Sequence, residues 1–197
     1  MSRKDVREKM VGLGVLIGTL LGADVASAQT PVPRGPWTAV RPSPQAEPCV
    51  SAGADPIESL LRMSPEQLDR LYQQAAIGPI PSGRARGNVL FRPGTPMARP
   101  LTKASKIVWQ GKLFHADDSS AVNRFFGVPV IRGKVYYGTS WMDGNPSIIL
   151  DYSTTSLVYA NYRDEFREVA PGLFLGLMYA RTTPQPTLKM YFALQVP

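Results

Sequence analysis

From about residue 84 onward, β-branched and aromatic residues come in short runs, broken roughly every ten positions by Gly, Pro, Asn or Asp. These runs predict strands at residues 88–92, 106–115, 128–132, 135–141, 147–152, 157–162, 165–169, 173–180 and 188–194. With no helical period between them they describe an antiparallel meander, and Asp143-Gly144-Asn145-Pro146 is its clearest hairpin turn. Closing the meander would pair its two edge strands and enclose side chains or one small ligand. The expectation is a mainly β fold with a closed antiparallel barrel over residues 84–197.

Residues 55–78 carry the helical period instead. Asp55-Pro56-Ile57-Glu58 sets a capping oxygen, a proline at the first helical position and a carboxylate able to reach back to the cap. Ser64-Pro65-Glu66-Gln67 repeats the device. A short helical pair follows, at 56–62 and 65–76, with Leu68, Leu71, Tyr72 and Ala75 on one apolar face that packs against or plugs the barrel. Gly78-Pro79 stops the second helix.

Ahead of this pair, residues 29–54 form a Pro-rich linker, and Cys49 within it has no neighbours that would activate a thiolate. Residues 1–28 join a basic start, an apolar run from Met10 to Leu21 and Ala26-Ser27-Ala28. That is the pattern of a secretory signal peptide cleaved after Ala28. The apolar run is too short to span a bilayer, and no later one is longer. The expected product is periplasmic or secreted, with no transmembrane span in its mature form.

One His and one Cys cannot assemble a Cys/His zinc site or an internal disulfide, so no metal and no cofactor are expected. The chain carries a net charge of +7, unevenly placed. Residues 70–116 hold eight cations and no anion, and Arg84, Arg86, Arg92, Arg99, Lys103 and Lys106 from this run predict a surface for an anionic envelope lipid or polymer. Nucleic acid fits the charge but not the export signal.

Three groups are candidates for chemistry. On a strand, Arg163, Glu165 and Arg167 share one face. Pointing inward, the two guanidiniums would fork a carboxylate or phosphate; pointing outward, they would form a structural charge ladder. His115, Asp151 and Glu165 are candidates for proton transfer without a metal. Trp109, Tyr137 and Trp141 are candidates for lining an apolar cavity.

The stretches W-Q-G-K at 109–112, S-W-M-D-G-N-P-S-I-I-L-D-Y at 140–152 and R-D-E-F-R-E-V-A-P-G-L-F-L-G at 163–176 resemble a poorly characterised group of bacterial secreted or stand-alone domains. More distantly they are similar to lipocalin-like barrels that open on a Gly-x-Trp-x-Gly strand, although Ile107 stands where the first Gly would be. The resemblance implies a lipocalin-like β-barrel and an apolar ligand, and brings no catalytic residues with it. The expected function is binding of a small apolar or amphipathic molecule with an anionic head, held by Arg163 or Arg167. The alternatives are a hydrolase or isomerase on the same barrel and a basic envelope adaptor.

Overall fold

The structure, a computed structural model, describes residues 55–197. The signal-peptide pattern and the Pro-rich linker with Cys49 lie outside the described residues. Helix α1 (Pro56–Arg62) starts as its sequence dictates, with Asp55 accepting from the Ile57 N–H at 3.0 Å. Helix α2 (Pro65–Gln74) has a full capping box: the Ser64 hydroxyl accepts from Gln67 N–H at 3.3 Å and the Gln67 side chain accepts from Ser64 N–H at 2.8 Å. Glu58 does not reach back to its cap as expected; it pairs with Arg99 across the surface.

Eight strands follow among the described residues: β1 (Gly83–Leu90), β2 (Trp109–His115), β3 (Ser120–Phe125), β4 (Val128–Thr139), β5 (Pro146–Asp151), β6 (Tyr162–Ala170), β7 (Leu173–Ala180) and β8 (Thr187–Gln195). Each pairs antiparallel with the next, and β1 pairs with β8, giving a closed up-and-down barrel. The expected barrel is therefore present, with four local corrections.

The run at 128–132 and 135–141 is one strand. Gly133 does not break it, because a Cβ there would lie 2.6 Å from Leu150 and 2.9 Å from Tyr152 inside the barrel. Residues 98–108, which carry no capping side chain to announce them, form helix α3 (Ala98–Val108), so the first three residues of the run at 106–115 are helical and only 109–115 are strand. β3 adds a strand that the sequence pattern does not predict, because polar Asn123 occupies an inward position. Of the run at 157–162, residues 157–161 turn instead of pairing and only Tyr162 joins β6: β5 meets β6 between Ile148–Asp151 and Arg163–Phe166, and Leu157 and Val158 are left exposed beyond that register.

Both faces of the β6, β7 and β8 walls are buried. The inner face carries Phe166, Phe174 and Phe192. The outer face carries Leu173, Leu175, Leu177, Tyr179, Leu188, Tyr191 and Ala193, covered by Ile57, Leu60 and Leu61 of α1 and Leu68 and Tyr72 of α2. The helical pair thus packs on the outside of the wall, its predicted apolar face inward. Leaving α2, the chain crosses one mouth of the barrel before entering β1. Glu168 N–H donates to Ala76 O at 3.0 Å, and the Tyr137 hydroxyl accepts from Ile80 N–H at 3.1 Å. Helix α3 lies along β1, tied by the Thr102 hydroxyl donating to Val89 O at 2.6 Å.

Candidate functional site

A closed eight-stranded barrel leaves room inside for little more than side chains. Most of that room here is taken by aromatic rings: Trp109 meets Phe192 edge-on at 5.8 Å, and Phe114 meets Phe166 at 5.9 Å. β2 and β6 stand four places apart around the barrel, so the Phe114–Phe166 contact crosses the interior.

A second contact crosses it too, and it is charged. Lys112 of β2 reaches Asp164 of β6 at 2.8 Å, with the two side chains 2% and 4% exposed. Around them the hydrogen bonding closes. Lys112 Nζ also donates to Asn123 Oδ1 at 2.7 Å and to the Tyr152 hydroxyl at 3.1 Å, which uses all three of its donors. Tyr152 donates to Asp164 Oδ2 at 2.6 Å and accepts from Asn123 Nδ2 at 2.7 Å, while Trp109 Nε1 donates to Asn123 Oδ1 at 3.0 Å. The ammonium sits 5.2 Å from the centre of the Phe192 ring and 5.3 Å from that of Trp109.

The backbone explains how Lys112 comes inside. The pairing of β2 with β3 shifts register between Trp109 and Lys112, and Gly111 there has φ +106°. A Cβ on Gly111 would lie 2.2 Å from Ala85 O, so only glycine can form this bulge. The extra residue turns Trp109 and Lys112, three apart, to the same inner face. Burial lowers the Lys112 pKa against the opposing pull of Asp164. It raises that of the Tyr152 phenol, with the Asp164 charge adding to the rise.

Above this cluster, at the end of the barrel where β2 and β6 begin, aromatic rings gather. Tyr159, on the loop between β5 and β6, lies 5.6 Å from Tyr152, 6.2 Å from Phe125 and 5.5 Å from Tyr162. Ser153, Thr154, Thr155, Leu157 and Val158 of that loop are all exposed.

The sequence candidates distribute differently. Arg163, Glu165 and Arg167 do share a face, and it is the outer face of β6, buried beneath α2 and the β4–β5 turn. Arg167 forks Asp143 with two hydrogen bonds of 2.7 Å and donates to Tyr72 O and Pro146 O at 3.0 Å. Its guanidinium lies 4.4 Å from the centre of the Tyr72 ring. Arg163 stacks 4.2 Å over Trp141 and pairs with Glu165 at 3.2 Å. Glu165 also accepts from the Ser140 hydroxyl at 2.6 Å and from the Trp141 N–H. Burial raises its pKa against the pull of Arg163. The inward reading of this face is corrected: these charges hold the turn and α2 to the wall.

His115, Asp151 and Glu165 do not converge. His115 ends β2, at the foot of the turn to β3. Asp151 is held at the surface by Arg181 at 2.7 Å, and Glu165 is enclosed under Ser140 and Trp141. Trp109, Tyr137 and Trp141 likewise do not line one cavity, since Trp109 is inside the barrel, Trp141 packs on the outer wall against Tyr179, and Tyr137 is exposed at the strapped mouth. Arg84, Arg86, Arg92, Arg99, Lys103 and Lys106 are all exposed, on the β1 and α3 side.

No family model matches the chain, and no curated protein matches it. Among solved structures it is similar to one titled "Crystal structure of protein from Thermomonospora curvata", at 20% identity and a TM-score of 0.46, over 68% of this chain and 88% of that one.

Proposed function

We propose that the protein binds a small amphipathic molecule at the aromatic mouth above Lys112, its polar or anionic head reaching Lys112 and Tyr152 and its apolar body taking the place of the Tyr159 ring. The observation that carries this reading is the charged cluster itself. A buried ion pair is a poor way to stabilise a core, because desolvation offsets its attraction and apolar residues of the same volume do as well or better. A lysine, a carboxylate, a phenol and an amide gathered inside an aromatic barrel are therefore better explained by recognition than by stability. The mouth supports it further: Phe125, Tyr152 and Tyr162 each meet the Tyr159 ring at a tilted or edge-on angle, and Tyr159 rides on a loop with several exposed residues.

This reading keeps the expected ligand class and moves the head group from Arg163 and Arg167 to Lys112. Arg167 lies on the outer face of β6, held by Asp143 and two carbonyls, so it does not face the barrel interior. The signal-peptide pattern of residues 1–28 supports action outside the cytoplasm. The test is native mass spectrometry of the protein purified without detergent after expression of the full chain, followed by organic extraction. A stoichiometric small molecule, lost in Lys112→Met/Asp164→Leu, is the expected result. A bound molecule retained equally by that double variant would overturn the assignment of its head to Lys112.

A further inference from the structure

The mouth that carries Tyr159 is bordered by apolar side chains that the fold leaves in water. Leu157 is 100% exposed, Ile107 72%, Phe126 50%, Val158 47% and Val128 39%. They come from three segments that touch one another. The Phe126 N–H donates to Val108 O at 2.9 Å, and Gln110 ties the end of α3 to the hairpin by accepting from Gly127 N–H at 2.9 Å. The ring of Tyr159, next to Val158, packs on Phe125 of the same hairpin. Large apolar residues gathered at one end are a surface awaiting a partner rather than the scattered exposure normal for a soluble domain.

Charge identifies the partner. Along α3, Arg99, Lys103, Lys106 and Ile107 fall at spacings of three and four, so the exposed cations run up one face to the apolar rim. Arg99 is engaged by Glu58, but Lys103 and Lys106 have no ion-pair partner among the described residues. On the hairpin, Arg124 Nη2 donates to Gly127 O at 3.2 Å. None of residues 98–110, 124–130 and 152–161 is acidic. Apolar tips with a cationic flank suit a bilayer of anionic lipids, in which the tips enter the headgroup boundary and the cations meet phosphate.

We propose that this end of the barrel docks on an anionic lipid surface, with Phe126 and Leu157 inserted and Lys103 and Lys106 at the headgroups. Docking would set the mouth above Lys112 against the membrane, but it is read separately from ligand binding, so either can fail alone. The walls fit peripheral contact rather than insertion: Arg84 and Arg86 of β1 and Arg132 and Lys134 of β4 are exposed, where a spanning barrel carries an apolar outer band.

The test is sedimentation of the full-chain expression product, its N-terminus established by intact mass, with vesicles of phosphatidylcholine alone and of phosphatidylcholine with about one-third phosphatidylglycerol. We expect binding at low salt to the anionic vesicles only. Phe126→Ser/Leu157→Ser should weaken it at least tenfold, and Lys103→Glu/Lys106→Glu should bring it to the level of the neutral vesicles, both with unchanged far-UV circular dichroism. Either no binding by the unsubstituted chain, or undiminished binding by both variants, would overturn the proposal; the latter would place the contact elsewhere, as an apolar run outside the barrel would.

Discussion

Replacing Lys112 by Met removes the cation from the barrel centre while keeping most of its volume. Asp164 is then a carboxylate 4% exposed with no cation beside it, and Tyr152 and Asn123 each lose a charged donor. Breaking one side of a buried pair costs about 3–5 kcal/mol, against a total stability for a domain of about 5–15 kcal/mol. Asp164→Leu strands the ammonium and should cost about the same. In Lys112→Met/Asp164→Leu neither charge remains, the Trp109–Asn123 and Asn123–Tyr152 hydrogen bonds persist, and only the Tyr152 hydroxyl loses its acceptor, for about 1–3 kcal/mol. The two single losses would sum to about 6–10 kcal/mol, so the pair should show a coupling of at least about 3 kcal/mol. Urea unfolding followed by circular dichroism measures it. With a slope of about 2 kcal/mol per molar, each single variant should lose roughly 2 M in midpoint and the double variant less than either. Additive losses would refute the reasoning, because they would mean that the charges do not face each other in a dry interior.

Three other outcomes follow from the same geometry. Gly111→Ala should destabilise by more than about 2 kcal/mol in urea unfolding, since its φ and the 2.2 Å approach to Ala85 O both forbid a side chain; an unchanged midpoint would deny the bulge that turns Lys112 inward. Arg167→Ala should destabilise the protein by about 3–5 kcal/mol by leaving Asp143 without its partner, yet at temperatures where it stays folded it should retain any bound small molecule in native mass spectrometry. Burial works to raise the Asp143 pKa, but Arg167 holds it below the ordinary value. The folded state therefore binds fewer protons there than the unfolded one. The stabilisation is full above the unfolded value of about 3.9 and is lost as pH falls through the lowered one, so Asp143→Asn should flatten the acid limb of a stability–pH curve and leave the limb above about pH 5 parallel.

The barrel was legible because its walls announce themselves. β7, with residues 173–180, and the turn at Asp143-Gly144 carry strand and hairpin chemistry with little competing signal, and the two helix starts carry caps that act locally. What was hidden depends on contacts between distant residues. Gly133 reads as a break in isolation and becomes a strand position only when Leu150 and Tyr152 come to lie against it. Of the eight cations in residues 70–116, Lys112 looks like the rest, and only the bulge at Gly111 separates it from the exposed ones. The W-Q-G-K stretch held the clue, a glycine inside a strand between an aromatic and a charge. Arg163, Glu165 and Arg167 were correctly placed on one face, but alternation alone says nothing of which face is inner. Here both are buried, because α2 and the β4–β5 turn cover the outside.

The most direct measurement reads the indole N–H of Trp109, which bonds to Asn123 within the cluster, against that of Trp141, which packs on the outer wall. Protein labelled with ¹⁵N is titrated with decanoate, a small anionic amphiphile, and the indole signals are assigned by Trp109→Phe and Trp141→Phe. The account predicts a saturable shift of the Trp109 signal with Trp141 unmoved, abolished in Lys112→Met/Asp164→Leu. A Trp109 signal that stays fixed while Trp141 shifts would contradict it and move the binding site to the outer wall.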